Sequence, residues 1–162
     1  MFDSMIPLNA FNRSYLSRLM QEIDDSELDA TFGPESHSAR WILAHLAIAV
    51  DYGFMQLEMP FAASKIWHKT YGPGSEPASN KDVRPSKAEL MSFIEVNYGK
   101  LCQSALLGDA KKLSAPHGVP LLEGTPLISK ADLLGHILTT HFATHLGQLS
   151  SWRRLAGLPP LF

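Results

Sequence analysis

At 162 residues the chain has the length of one compact domain, and its 45% hydrophobic and 19% charged residues exclude a disordered polymer. Fourteen Lys plus Arg against sixteen Asp plus Glu leave a formal charge of -2, without the basic excess of a nucleic-acid-binding surface. Cys102 has no second cysteine to pair with, the N-terminal stretch MFDSMIPLNAFNRSYL lacks a secretory pattern, and no run of about 18 apolar residues occurs, so a cytoplasmic protein without a membrane span is expected.

Four segments show apolar residues spaced by three and four, and none shows sustained alternation, which predicts an all-α fold. The first helix is predicted from about Leu8 to Asp24, with Phe11, Tyr15, Leu16, Leu19 and Ile23 on its inner stripe. The second opens at the N-cap Ser38 and runs through ARWILAHLAIAVDYGFMQLEM to Pro60. Its apolar residues go nearly all round, so it is expected at the centre. From Pro60 to Pro85 the chain carries Gly72, Pro73, Gly74 and Pro77 and reads as a long crossover, irregular for most of its length, with Trp67, His68 and Tyr71 as wall elements; disorder is the competing reading. The third helix begins at the capping box Ser86 to Glu89 and reaches about Leu107. A second irregular connection, with room for one short helical turn, spans Gly108 to Ile128. The fourth helix opens on the variant box Ser129 to Asp132 and runs unbroken to about Ala156, where Gly157 supplies a left-handed cap ahead of Pro159 and Pro160.

Of seven histidines, His136, His141 and His145 fall on the fourth helix. Residues four apart lie about 40° apart around a helix and about 6 Å apart along it, so His141 and His145 can aim at one point. His136 precedes His141 by five residues, about 140° around the axis, and is expected to face elsewhere. Zinc-like ions in catalytic sites usually take three protein ligands and keep a position open. His45 is the candidate third: it stands in the apolar run RWILAHLAIAV, where an unpartnered imidazole would cost roughly 1–3 kcal/mol. The competing reading of such a residue is a core histidine bonded to a carbonyl or a water.

The stretch His141-Phe-Ala-Thr-His145-Leu-Gly147-Gln148-Leu149, with Arg153, Arg154, Gly157 and Pro159-Pro160 after it, resembles the C-terminal signature of the DinB-like superfamily, which includes the YfiT-type metal-dependent hydrolases. Ser38-Ala-Arg-Trp-Ile-Leu-Ala-His45 is similar to that family's second-helix segment. The resemblance implies a single four-helix bundle over residues 1–162 with a long crossover, a zinc- or nickel-type divalent ion on His45, His141 and His145, and a homodimer. Leu146 departs from the pattern, because family members often carry His or Arg there. Gly147 is expected to permit close helix packing, and Gln148 to bond near the site or to be a surface amide. Tyr52, on the face of His45, reads equally as pocket or core; with Gln148, Trp67 and His68 it completes the candidate pocket.

A three-histidine ion with open positions lowers the pKa of bound water or binds a thiolate. The chain has no His-Glu-x-x-His, which argues against a metalloprotease. Asp51 lies about 120° around the helix from His45 and reads as a solvated or structural carboxylate. Cys102 reads as packing rather than nucleophile, and Ser104, Ser150 and Ser151 lack a Gly-x-Ser-x-Gly setting. The resemblance implies a metal-dependent enzyme, either a hydrolase or a transferase joining a low-molecular-weight thiol to a small-molecule electrophile, and the lack of an evident general base favours the transferase. The alternatives are a stress-response binding module with a structural metal and a helix bundle without metal. No residue is assigned a catalytic role beyond the ligand set.

Overall fold

The computed structural model describes residues 1–33, 36–75 and 82–161; Pro34, in the polar stretch after the first helix, and Pro77, in the crossover, lie outside them. The described residues are helical without strands: α1 Met5–Met20, α2 Ala39–Gln56, α3 Lys65–Tyr71, α4 Lys87–Leu106, α5 Ala110–Leu113, α6 Lys130–Leu138 and α7 Thr140–Leu155. No helix among them is long and apolar enough to cross a membrane.

Local chemistry accounts for the helix starts. Ser38 Oγ accepts the Trp41 N–H at 3.2 Å ahead of α2. Ser86 and Glu89 exchange bonds of 2.8 and 3.2 Å ahead of α4, and Ser129 and Asp132 do the same at 2.8 and 3.1 Å ahead of α6. Gly157, with φ of 84°, closes α7 in the left-handed region. At the same end Arg153, 1% exposed, donates to the carbonyls of Leu19 and Pro159, each at 3.1 Å, and pairs with Glu22. That clasp joins the C-terminal ends of α7 and α1.

As its composition predicts, α2 is central and packs against α3, α4, α6 and α7. Of its side chains only Tyr52 and Met55 escape full burial. Burial of so long an apolar element is the main favourable term in the fold.

α1 runs from Met5 to Met20 rather than from about Leu8 to Asp24, α2 stops at Gln56 short of Pro60, and three larger features change. The crossover contains the helix α3, begun by Ser64, whose Oγ accepts the Trp67 N–H at 3.3 Å; Lys65–Tyr71 holds neither glycine nor proline. The predicted inner stripe of α1 holds at Leu16, Leu19 and Ile23, which are buried, and at half-buried Tyr15, but Phe11 is 59% exposed while Asn9 and Asn12 are buried. The fourth helix is broken in two at Thr139, whose φ and ψ of -127° and -79° leave the helical region. Asn9 and Asn12 link the last two changes. Asn9 Nδ2 donates at 2.9 Å to Leu138 O, a carbonyl that the break releases, and Asn12 Nδ2 donates at 3.3 Å to Thr139 O, which also accepts the Ala143 N–H at 2.9 Å. The Thr139 hydroxyl donates to Gly135 O at 2.6 Å on the other side of the junction.

Asn9 also accepts from Arg13 Nε at 3.1 Å and from the Cys102 thiol at 3.4 Å. Cys102 is buried, and burial pushes its thiol pKa up, in keeping with packing rather than nucleophilic use. Asn9→Ala leaves Leu138 O without a partner at a fully buried position, so we expect a loss of about 1–3 kcal/mol in urea unfolding. An unchanged midpoint would show that the α1 amide does not hold the junction.

Candidate metal centre

The break at Thr139 sets the direction of α7, and α7 carries His141 and His145 against the face of α2 that carries His45. One ligand atom from each of the three imidazoles lies within 4.8 Å of the others. Ring centroids are 4.6 Å apart for His141 and His145, 4.7 Å for His45 and His145, and 5.3 Å for His45 and His141.

Each ring is prepared differently. His45, 8% exposed, sits 2.8 Å through Nδ1 from the Tyr71 carbonyl at the end of α3. A carbonyl only accepts, so Nδ1 carries the proton and Nε2 keeps its lone pair. His145 Nδ1 lies 2.7 Å from Gln148 Oε1 and is held in the same tautomer. His141 Nδ1 is buried and has no hydrogen-bond partner. Such an orphaned nitrogen beside two oriented imidazoles fits a group that accepts lone pairs, which is the character of a divalent transition metal.

Electrostatics point the same way. Burial lowers the His141 pKa to about 2, and the neighbouring His145, His45 and His136 add to the shift. His145 falls to about 4, through burial first and then His45, with the Gln148 bond opposing. His45 is lowered by burial, opposed by the Tyr71 bond and helped by His37. All three rings are neutral near pH 7, the protonation state a metal ligand requires.

His136 stands closer than a continuous helix allows. Because the axis bends at Thr139, its ring packs edge-on to His141 with centroids 5.5 Å apart. Its Nδ1 bonds the Thr140 hydroxyl at 2.7 Å, and it lies outside the three-residue cluster. Leu146, at the position that departs from the resemblance, is 3% exposed and faces the core.

His68 bonds Asp51, further along α2, and Tyr52 meets the His68 ring edge-on with centroids 6.3 Å apart. Asp51 is fully buried and structural rather than solvated: its carboxylate accepts from Ala62 N at 2.7 Å, Ala63 N at 3.0 Å and His68 Nε2 at 2.8 Å. His68 stacks on Phe61, and Trp67 packs against Phe93 with centroids 5.4 Å apart. A groove reached from the triad through Gln148, with none of the three histidines in its described lining, is elsewhere. It has a volume of about 440 Å³ and runs between α7 and the entrance of α2, lined by Phe32, His37, Ile42, Gln148, Trp152 and others; Tyr52, Trp67 and His68 are not part of its wall.

Sequence reasoning missed three contributors. His37, Trp41 and His45 recur every four residues and form one stack, with centroids 3.6 Å apart for the first pair and 4.7 Å for the second. Their spacing was a visible signal. The Tyr71 carbonyl carried none, since any residue offers a carbonyl. Gly147 does not serve close helix packing: a Cβ built there meets nothing within 4 Å. A helix-interior glycine costs about 1 kcal/mol relative to alanine, and no contact within the chain requires it here.

The family model described as the DinB superfamily matches residues 9–149, nearly the whole helical body. No curated protein gives a significant match.

Gln148→Leu removes the partner that orients His145, and we expect zinc affinity to drop about 10–100-fold in a competition titration with the fold intact. Unchanged affinity would make the amide a bystander. Lowering the pH should destabilise the metal-free protein. The unfolded chain protonates its histidines near 6.5, whereas His145 and His141 resist until about 4 and about 2, so the unfolded state holds more protons over that interval. The melting temperature should therefore fall from pH 6.5 to pH 5, and fall less steeply in the His141→Ala, His145→Ala double variant. Equal slopes would show that these rings titrate normally in the fold.

Proposed function

Because the chain belongs to the DinB superfamily, we propose that it is a metal-dependent enzyme in which His45, His141 and His145 hold one zinc- or nickel-type ion and a low-molecular-weight thiol is transferred to a small-molecule electrophile. One observation carries the reading: three neutral imidazoles from two helices converge, and two of them are fixed in tautomer by Tyr71 and Gln148. When bound, such an ion supplies Lewis acidity and stabilises a thiolate near neutral pH.

The residues of the chain do the rest. Tyr71 and Gln148 hold their rings in the orientation that exposes a lone pair. His45, buried within α2, lies on the side of the centre away from solvent, and the groove over Gln148 gives the opening beside it. Transfer is favoured over hydrolysis because hydrolysis calls for a general base. Asp51, the buried carboxylate of α2, is already committed to Ala62, Ala63 and His68.

The test combines metal analysis with a screen of low-molecular-weight thiols against 1-chloro-2,4-dinitrobenzene and ester substrates. We expect about one ion per chain and conjugation that needs both thiol and metal. His45→Ala, His141→Ala and His145→Ala should each lose most of the metal and at least 100-fold in rate, while His136→Ala keeps its metal. Ester hydrolysis independent of thiol would instead favour a hydrolase. Bound metal without turnover of either kind would favour a structural ion in a binding module.

A further inference from the structure

The groove beside the triad has a chemistry of its own. Its described lining contains no Asp, Glu, Lys or Arg. Phe32 and Trp152 meet edge to face, with centroids 5.7 Å apart, and the Trp152 N–H is already taken by the Ala30 carbonyl at 2.8 Å, so that wall offers ring surface rather than donors. His37 forms another wall and is backed by Trp41. Walls of this kind favour flat rings, and without a countercharge they do not offset the desolvation of an ion. Gln148 supplies the polar contact: its Oε1 is bonded to His145, and its NH2 remains for an acceptor on a ligand.

Gly147 supplies the space. It lies in this lining, in the middle of α7, and a Cβ there would meet nothing within 4 Å. Neither packing nor backbone conformation within the chain accounts for the missing side chain. The position is exposed and leaves room for an occupant of the groove.

We infer that this groove binds an uncharged, flat, ring-bearing small molecule with a hydrogen-bond acceptor at one edge, seated over Gly147 between His37 and Trp152 with the acceptor on the Gln148 amide. This molecule is the electrophile of the reaction proposed above, and its role as substrate rests on that reading; its binding does not. The volume of about 440 Å³ lies in the range of small-molecule sites. Gly147 also borders a second groove, lined in part by Phe11, Tyr15 and Arg154, so a second copy of the chain is the rival occupant of the same space.

The experiment titrates three bicyclic probes of similar size into the 162-residue chain, zinc-loaded and after chelation: coumarin, 2-naphthoate and N-methylquinolinium. Quenching of tryptophan emission reads the binding, since Trp152 lies in the wall and Trp41 backs it. Coumarin should bind both forms, at least tenfold tighter than either charged probe. Gly147→Leu should retain the melting temperature and the metal content of the parent and weaken coumarin at least tenfold. Thr144→Phe, an exposed lining position, should do the same if the first variant folds poorly. Binding of all three probes alike, or coumarin affinity unchanged in both variants, would overturn the inference. So would a sedimentation profile in which Gly147→Leu turns a dimer into a monomer, which would assign the space to a second copy. Coumarin bound as expected in a protein that holds metal but shows no thiol transfer would sink the proposed reaction and leave the groove assignment standing.

Discussion

The structure depends on a conflict within α2. The helix is enclosed on all sides, yet Arg40, His45 and Asp51 bring polar groups into that enclosure, each at most 8% exposed. Leaving any of them without partners would cost several kcal/mol, so each imposes a contact on the chain around it. Arg40 donates to the Pro85 carbonyl at 2.6 Å and to Asp29 at 3.0 Å. His45 takes the Tyr71 carbonyl, and Asp51 takes the backbone N–H groups of Ala62 and Ala63. The crossover between α2 and α4 is thus stitched to α2 at its entry, in its middle and at its exit. A segment rich in proline and glycine is held in place by polar groups of the helix it covers.

That arrangement links folding to the candidate metal centre. The contact that satisfies His45 also fixes its tautomer, so docking of α3 and orientation of that imidazole are one event. On the proposed function, core packing and the ligand set share this residue, which is why apo stability and metal affinity should both respond to protons. The same economy holds on α7, where Gln148 orients His145 from within its own helix and shapes the neighbouring groove at the same time.

The junction at Thr139 is the second device. An unbroken helix from Ser129 to Ala156 would carry its histidines along one straight axis. With the break, α6 and α7 each pack against α1 and α2 along their own axes, and Asn9 takes up the released Leu138 carbonyl. It also folds His136 back onto His141, adding a ring to the shell around the triad without adding a ligand.

By itself the sequence determined whatever depends on near neighbours along the chain. Helix starts follow from serine caps and capping boxes, the central place of α2 follows from its all-round apolar pattern, and the His141 and His145 pair follows from 3.6 residues per turn. His45 was legible as well, because an imidazole within an apolar run needs a partner. Only the tertiary structure decided what that partner is, since a carbonyl from Tyr71 leaves no trace in residue type. The break at Thr139 was equally hidden: Thr139-Thr140 is an unremarkable pair, and what makes the break affordable is a pair of amides on α1, more than 120 residues away. Where these amides take inner positions of α1, Phe11 is left facing outward, against its apolar character. Local periodicity records which face a segment prefers, whereas the balance of buried hydrogen bonds is struck between segments, and that balance buries Asn9 and Asn12 on α1 beside the start of α7.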